Sequence, residues 1–242
     1  MNDKSSLHEG HRQRLKNKFI EHGFQGFEQH NILELLLFYS IPRKDTNEIA
    51  HDLLNTFGSL EGVFNAKFEE LIKVEGIKEN SATLIKMIPS IAREYLTDSY
   101  RDQVVFDDAE TIANFLINKY VGETNEIVYA MFLNNKYELL GVEKMHEGSV
   151  NSSFISIRKL IDSVLKYNSS LVIIAHNHPD GTICPSMDDI ETTTRLIDAL
   201  NMIDAKLLEH FVIAGDQYCP ILNKSKISIG MSNENRRLFR KN

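Results

Sequence analysis

The residues of this chain best suited to metal chemistry are His176 and His178, followed after a short polar stretch by Ser186 and Asp189. If Leu171 to Ala175 form a strand, the two histidines leave it on one face, because side-chain direction in a strand repeats every two residues. A turn through Pro179, Asp180 and Gly181 brings the chain back. Asp189, eleven positions after His178, can then add an oxygen ligand. Two histidines and one carboxylate leave the fourth tetrahedral position of a zinc ion open to water, whereas a structural zinc site closes it. A rival reading stands beside this one. A His-x-His pair at a strand end also occurs as surface or hydrogen-bonded histidine, and Ser186-Met187-Asp188-Asp189 has the form of a helix start with Ser186 as N-cap and Asp189 in the capping-box position. The two readings compete for the Asp189 carboxylate and agree that a helix begins at Ser186.

The elements that must position these residues are bounded by the chain as a whole. Its 242 residues suffice for one substantial core or two smaller ones, and a hydrophobic content of 42% without low-complexity tracts belongs to a folded protein. A formal charge of -7 leaves room for a local basic face but argues against an interface that depends on a strongly positive global field. The two cysteines, Cys184 and Cys219, are too few for a disulfide framework and suit a reducing compartment. No N-terminal stretch combines basic residues, an apolar run and a cleavage site, and no apolar run approaches the roughly 20 residues of a membrane span. The expectation is a cytoplasmic protein without a membrane partner. Cys184 lies near the histidines, but nothing in the pattern lowers its pKa or orients a triad, so it reads as a small turn residue.

Residues 1 to about 96 read as four or five short helices, with apolar positions at three- and four-residue spacing in 32–38, 49–57, 68–74 and 84–91 and a kink expected at Pro89. The polar stretch 97–108 reads as a linker or a docking strand. Beyond it come a helix over 108–120, a buried strand over 126–133, a turn at 134–136 and a hairpin partner over 137–144. A helix over 157–167, a central strand over 171–176, a long helix from Ser186 to Ile203 and a hairpin of 207–214 with 218–222 complete the pattern. The fold class is α+β, a helical half followed by a sheet with helices between its strands.

Two features of the helical half admit two readings each. The glycines around Gly76 sit between short helices, where exposed backbone N–H groups could meet a phosphate independently of base sequence; they could equally permit a tight inter-helix turn. His8, His11, Arg12, Arg14, Lys16 and Lys18 form a modest basic patch that a solvated helix face also explains.

With these residues in view, the chain resembles the RadC family, whose C-terminal part is a JAB/MPN-type (JAMM) metalloprotease-like domain. The resemblance rests on a distant Glu, then His-x-His-Pro, a Ser separated from the second His by seven residues and an Asp three beyond it. Here these are Glu126, His176, His178, Pro179, Ser186 and Asp189. It extends to Gly148–Ser153 and to Glu209–Gly215, which is similar to the family's Asp-His-Val-Ile-Val-Gly. It implies a helix-hairpin-helix-like domain over 1–98, a JAB/MPN domain with a cytidine-deaminase-like mixed sheet over 104–225, and a charged tail over 226–242. It also implies one Zn²⁺ per chain held by His176, His178 and Asp189, with Glu126 as general base and Ser186 as oxyanion donor. The implied activity is hydrolysis of a peptide or isopeptide bond. The alternative is a DNA-associated repair or recombination accessory protein with a vestigial or non-peptidase zinc site. Asp180 and Asn177 beside the histidines are expected to modulate the site. In the helical half the family's Gly-Ile-Gly becomes Gly76-Ile77-Lys78, so phosphate contact there would fall to Gly76 and, as a point charge, to Lys78.

Overall fold

Leucine and isoleucine at helical spacing organise the first half of the chain. The computed structural model describes residues 3–100, 105–148 and 155–222, and the chain divides into two units, Met1–Ala92 and Arg93–Asn242. The helices are α1 (Asp3–His22), α2 (Gln29–Leu37), α3 (Asn47–Phe57), α4 (Leu60–Asn65), α5 (Phe68–Leu71) and α6 (Glu79–Asp98). There are thus six helices among the described residues of this half, not four or five. Two of them are 20 residues long. The undercount has a physical cause: α1 is polar and lacks an apolar stripe, so periodicity does not mark it. α4 is a short helix set off by Ser59, whose Oγ accepts from Gly62 N at 3.0 Å. α6 continues through Pro89 as one helix.

Leu33, Leu37, Leu53, Val63, Leu71 and Ile85 form the centre of the helical core. Gly76 adopts φ +87°, and a Cβ there would stand 2.5 Å from the Cδ1 of Ile49. Turn geometry and close packing therefore both call for glycine.

The second unit places α7 (Ala109–Lys119) before the hairpin of β1 (Glu126–Leu133) and β2 (Leu139–Gly148), followed by α8 (Ile157–Tyr167), β3 (Leu171–Asn177), α9 (Met187–Asn201), β4 (Lys206–Ala214) and β5 (Gln217–Pro220). The strand order is β2-β1-β3-β4-β5. β3 pairs antiparallel with β1 and parallel with β4, the α9 crossover joining the parallel pair. Both faces of the sheet are covered. Ile127, Met131, Ile173 and Phe211 pack with Phe106 and the α7 residues Ile112 and Leu116. Val128, Ala130, Val172 and Ile174 pack with Leu160 and Val164 of α8 and Leu196 and Leu200 of α9. Two-sided burial explains why β1 and β3 read as continuous apolar runs rather than alternating ones.

The 97–108 stretch acts in part as a docking strand, since Val105 bridges Glu138 and Phe106 N donates to Tyr137 O at 2.9 Å. β2 reaches Gly148, four residues beyond its expected end, because its ladder follows β1 as far as Glu126. Ser149–Ser153 and the 226–242 tail lie outside the described residues.

Candidate metal centre

β3 delivers His176 and His178 two residues apart, and α9 begins at Ser186 across the connecting loop. His176, His178 and Asp189 are the group of metal-ligating side chains that the fold assembles among the described residues, with one ligand atom of each within 4.8 Å of the others. His176 Nε2 stands 3.0 Å from His178 Nε2 and 3.3 Å from Asp189 Oδ1, and His178 Nε2 lies 3.8 Å from Asp189 Oδ2. Tetrahedral zinc with ligands at about 2.0–2.1 Å separates neighbouring donor atoms by about 3.3 Å. The cluster has that size.

Hydrogen bonding fixes which nitrogens face inward. Thr193 Oγ1 donates to the Asp189 carbonyl at 2.6 Å, and its single proton is then engaged. His210 Nδ1, 2.6 Å from the same oxygen, must therefore be the donor to it. His210 is fully buried, and burial, helped by the neighbouring His176, drives its pKa well below the usual range, so the ring is neutral and its Nε2 accepts. That acceptor lies 2.9 Å from His176 Nδ1, which supplies the proton and leaves His176 Nε2 bare. His178 Nδ1 faces the Thr182 carbonyl at 2.6 Å, an atom that can only accept, so His178 Nε2 is bare as well. With both rings neutral, two lone pairs meet across 3.0 Å, an arrangement that a proton or a metal cation relieves. The donor set fits a divalent metal of the zinc type.

Asp189 serves both readings that the sequence left open. Its Oδ2 accepts from Ser186 N at 2.7 Å and from Ser186 Oγ at 2.6 Å, while Ser186 Oγ accepts from Asp189 N at 3.1 Å. The capping box is complete. Oδ1 is left toward His176, so one oxygen caps the helix and the other faces the cluster. Burial raises the Asp189 pKa, but the hydrogen bond and positive charge that His176 supplies when its ring is protonated, together with the Ser186 donors, outweigh it and hold the carboxyl well below the ordinary range.

Glu126 opens β1 and is 6% exposed. Val128 pairs with His176; Glu126, two residues before Val128, shares that face of the sheet, and the register carried forward sets it opposite His178. Asn177 points to the other face. Its Oδ1 accepts from Ile127 N at 2.7 Å and its Nδ2 donates to Asn125 O at 2.9 Å, so this amide ties the start of β1, and with it Glu126, to the end of β3. Asp180 is exposed, and its Oδ1 accepts from Thr182 N at 2.9 Å, a bond that lowers its pKa. The contact shapes the loop whose Thr182 carbonyl orients His178.

His210 and Thr193 have no metal-ligating spacing of their own; only the family-like Glu209–Gly215 segment drew attention to His210. In the helical unit Gly76 and exposed Lys78 flank the turn before α6, and Asp52, Glu70, Lys73 and Glu75 line one hollow of the same unit. Of the N-terminal basic residues, Arg12 donates to the carbonyls of Ile41, Pro42 and Lys44, Lys18 to that of Gly26, and His11 meets the buried Glu34. No helix among the described residues is long and apolar enough to cross a membrane.

Fold and site together define a JAB/MPN-like α+β domain carrying a His-His-Asp cluster able to coordinate a metal ion. Residues 106–226 match the RadC-like JAB domain family, and the chain belongs to the RadC family. It is 34% identical over 226 residues to a UPF0758 protein of Fusobacterium nucleatum subsp. nucleatum, covering 90% of this chain and 97% of that relative. UPF0758 proteins of Cupriavidus necator and Neisseria meningitidis serogroup B are each 31% identical, over 205 and 207 residues, covering 85% and 86% of this chain and 90% and 92% of the relatives.

Proposed function

We propose that this protein is a zinc-dependent amide hydrolase, a metallopeptidase or isopeptidase. The observation that carries the reading is the convergence of the Nε2 atoms of His176 and His178 with Asp189 Oδ1, a three-donor set that leaves one tetrahedral position for chemistry. When bound there, zinc lowers the pKa of a coordinated water toward neutrality and polarises a carbonyl oxygen. Glu126, on the same face and beside His178 in register, accepts the attacking water's proton and returns it to the leaving amine. Asn177 holds Glu126 in place through the β1 backbone. Ser186 turns its hydroxyl proton from Asp189 Oδ2 to the developing oxyanion, while its oxygen continues to accept from Asp189 N.

Two measurements test the assignment. In the purified protein, His176→Ala loses zinc and Glu126→Gln keeps it; undiminished zinc after removal of His176 sinks the ligand set. A peptide and isopeptide library digest read by mass spectrometry should give products with the zinc-loaded wild type and none with Glu126→Gln. Identical product patterns from the two would remove Glu126 from the chemistry.

A further inference from the structure

Asp180 stands at the tip of the turn that follows the second histidine. His178 O accepts from Gly181 N at 3.1 Å and Gly181 takes φ +84°, so the chain reverses tightly over Pro179 and Asp180. Asp180 Oδ1 then accepts from Thr182 N at 2.9 Å, while Thr182 O faces His178 Nδ1 at 2.6 Å. One residue thus holds the carboxylate with its N–H and the imidazole with its carbonyl. The two side chains are near enough for a charge on the ring to act on the carboxyl. Asp180 is exposed nonetheless, and a carboxylate has more acceptor sites than Thr182 uses.

No basic residue of the surrounding segments offsets this charge. Lysine and arginine are absent between Lys166 and Arg195 and between Lys206 and Lys224, stretches that contain β3, the ligand loop, the first turns of α9, and β4 with its turn into β5. They carry instead the exposed acids Asp180, Asp188, Glu191 and Asp216. On the β2 side Lys144 pairs with Glu147, and Lys159 Nζ donates to the carbonyls of Lys144 and Met145 at 2.7 and 3.1 Å. Asp189 and Glu126 balance the charge of a bound Zn²⁺, which leaves that of Asp180 in excess.

We propose that Asp180 is a specificity-determining residue of the same site, favouring substrates in which the residue on the acyl side of the scissile bond carries a cationic side chain, lysine or arginine. The inference rests on the hydrolase reading, and the side follows from it. Glu126 returns the proton to the amine, so the amine lies over β1, which flanks β3 on one side. The turn bearing Asp180 leaves β3 against β4 on the other, where His178 N donates to Ile213 O at 2.8 Å. The acyl part therefore extends toward Asp180, and the long stem of a lysine or arginine carries its charge to the carboxylate.

Nα-acetyl-lysine hydroxamate and Nα-acetyl-norleucine hydroxamate test this on the zinc-loaded full chain. Both carry the same chelating group and a side chain of similar length on the acyl side; they differ by one charge. Calorimetry gives the ratio of their affinities. Asp180→Asn keeps an acceptor for Thr182 N, and so the loop, and should lower the preference for the lysine probe about three- to fivefold at low ionic strength, with the norleucine probe unchanged. The drop should fade in about 1 M salt, where the Debye length is about 3 Å. A ratio that survives Asp180→Asn, or equal weakening of both probes, which would assign Asp180 to metal binding or loop shape, overturns the proposal and leaves the hydrolase reading standing. Failure of both probes to bind the zinc-loaded wild type overturns both.

Discussion

Thr193→Val is the sharpest probe of the centre, because it removes no ligand atom, gives up only a hydroxyl bond to the Asp189 backbone carbonyl besides the one to His210, and preserves side-chain volume. It deletes the oxygen that accepts from His210 Nδ1. The buried N–H is then unpaired, at a cost of about 1–3 kcal/mol, and the ring avoids that cost by moving its proton to Nε2. An N–H now faces His176 Nδ1 across 2.9 Å. His176 must answer with its own proton on Nε2, between the two histidines where the metal would be held. Zinc binding has to reverse this exchange, so its affinity falls by the same 1–3 kcal/mol, about 5- to 150-fold, which brackets the loss typical of partners one shell beyond a metal. The metal-free fold loses less than about 1 kcal/mol, since the relocated proton turns a lone-pair clash into a hydrogen bond. Competition against a zinc-chelating dye at neutral pH gives the affinity, and urea unfolding of the metal-free protein gives the stability. Adding His210→Phe to Thr193→Val should cause little further loss of affinity, as the two act through one relay. A zinc affinity within threefold of wild type, or fully additive losses in the double variant, would refute the relay.

Other outcomes follow from contacts elsewhere in the fold. Asn177→Leu leaves the buried Ile127 N–H unpaired; it should destabilise by about 1–3 kcal/mol and speed hydrogen exchange at Ile127, and unchanged exchange there would show that the β1 start is held by other means. Glu143 accepts from Lys166, Ser163 and Tyr167, donors that overcome burial and bring its pKa down to about 2. A depressed carboxylate pKa adds stability above its unfolded value, and that stability fades as pH falls toward the folded one. Glu143→Gln should therefore cost about 1–2 kcal/mol at neutral pH and nothing near pH 2, and a pH-independent difference would assign the loss to shape instead of charge. Gly76→Ala places a Cβ against Ile49 at positive φ and should lower the melting temperature of the helical unit by several degrees, on a cost of about 1–3 kcal/mol. An unshifted melting temperature would mean that α3 yields freely at this contact.

Much of the centre was legible in the chain. The period-two spacing of His176 and His178, the apolar run before them and the Ser-x-x-Asp helix start are local patterns, and local geometry alone aims both imidazoles to one side and starts α9 where Asp189 can face them. Glu126 was reached only through family likeness, for fifty residues separate it from His176 and no periodicity links them. The helical half was read less well because the few apolar residues of α1 form no regular stripe.

What the amino-acid order determined by itself is the set of donors and the elements that present them, since strand alternation and helix capping act within a few residues. The tertiary structure decided how the donors are hydrogen-bonded and divided. Cross-strand register put Glu126 on the face of His176, the fold brought Thr193 of α9 and His210 of β4 together as a hydrogen-bond relay behind His176, and helix capping claimed one Asp189 oxygen and left the other to the cluster. These relations depend on hydrogen bonds between segments far apart in sequence, which exist only once both faces of the sheet are buried and the register is locked.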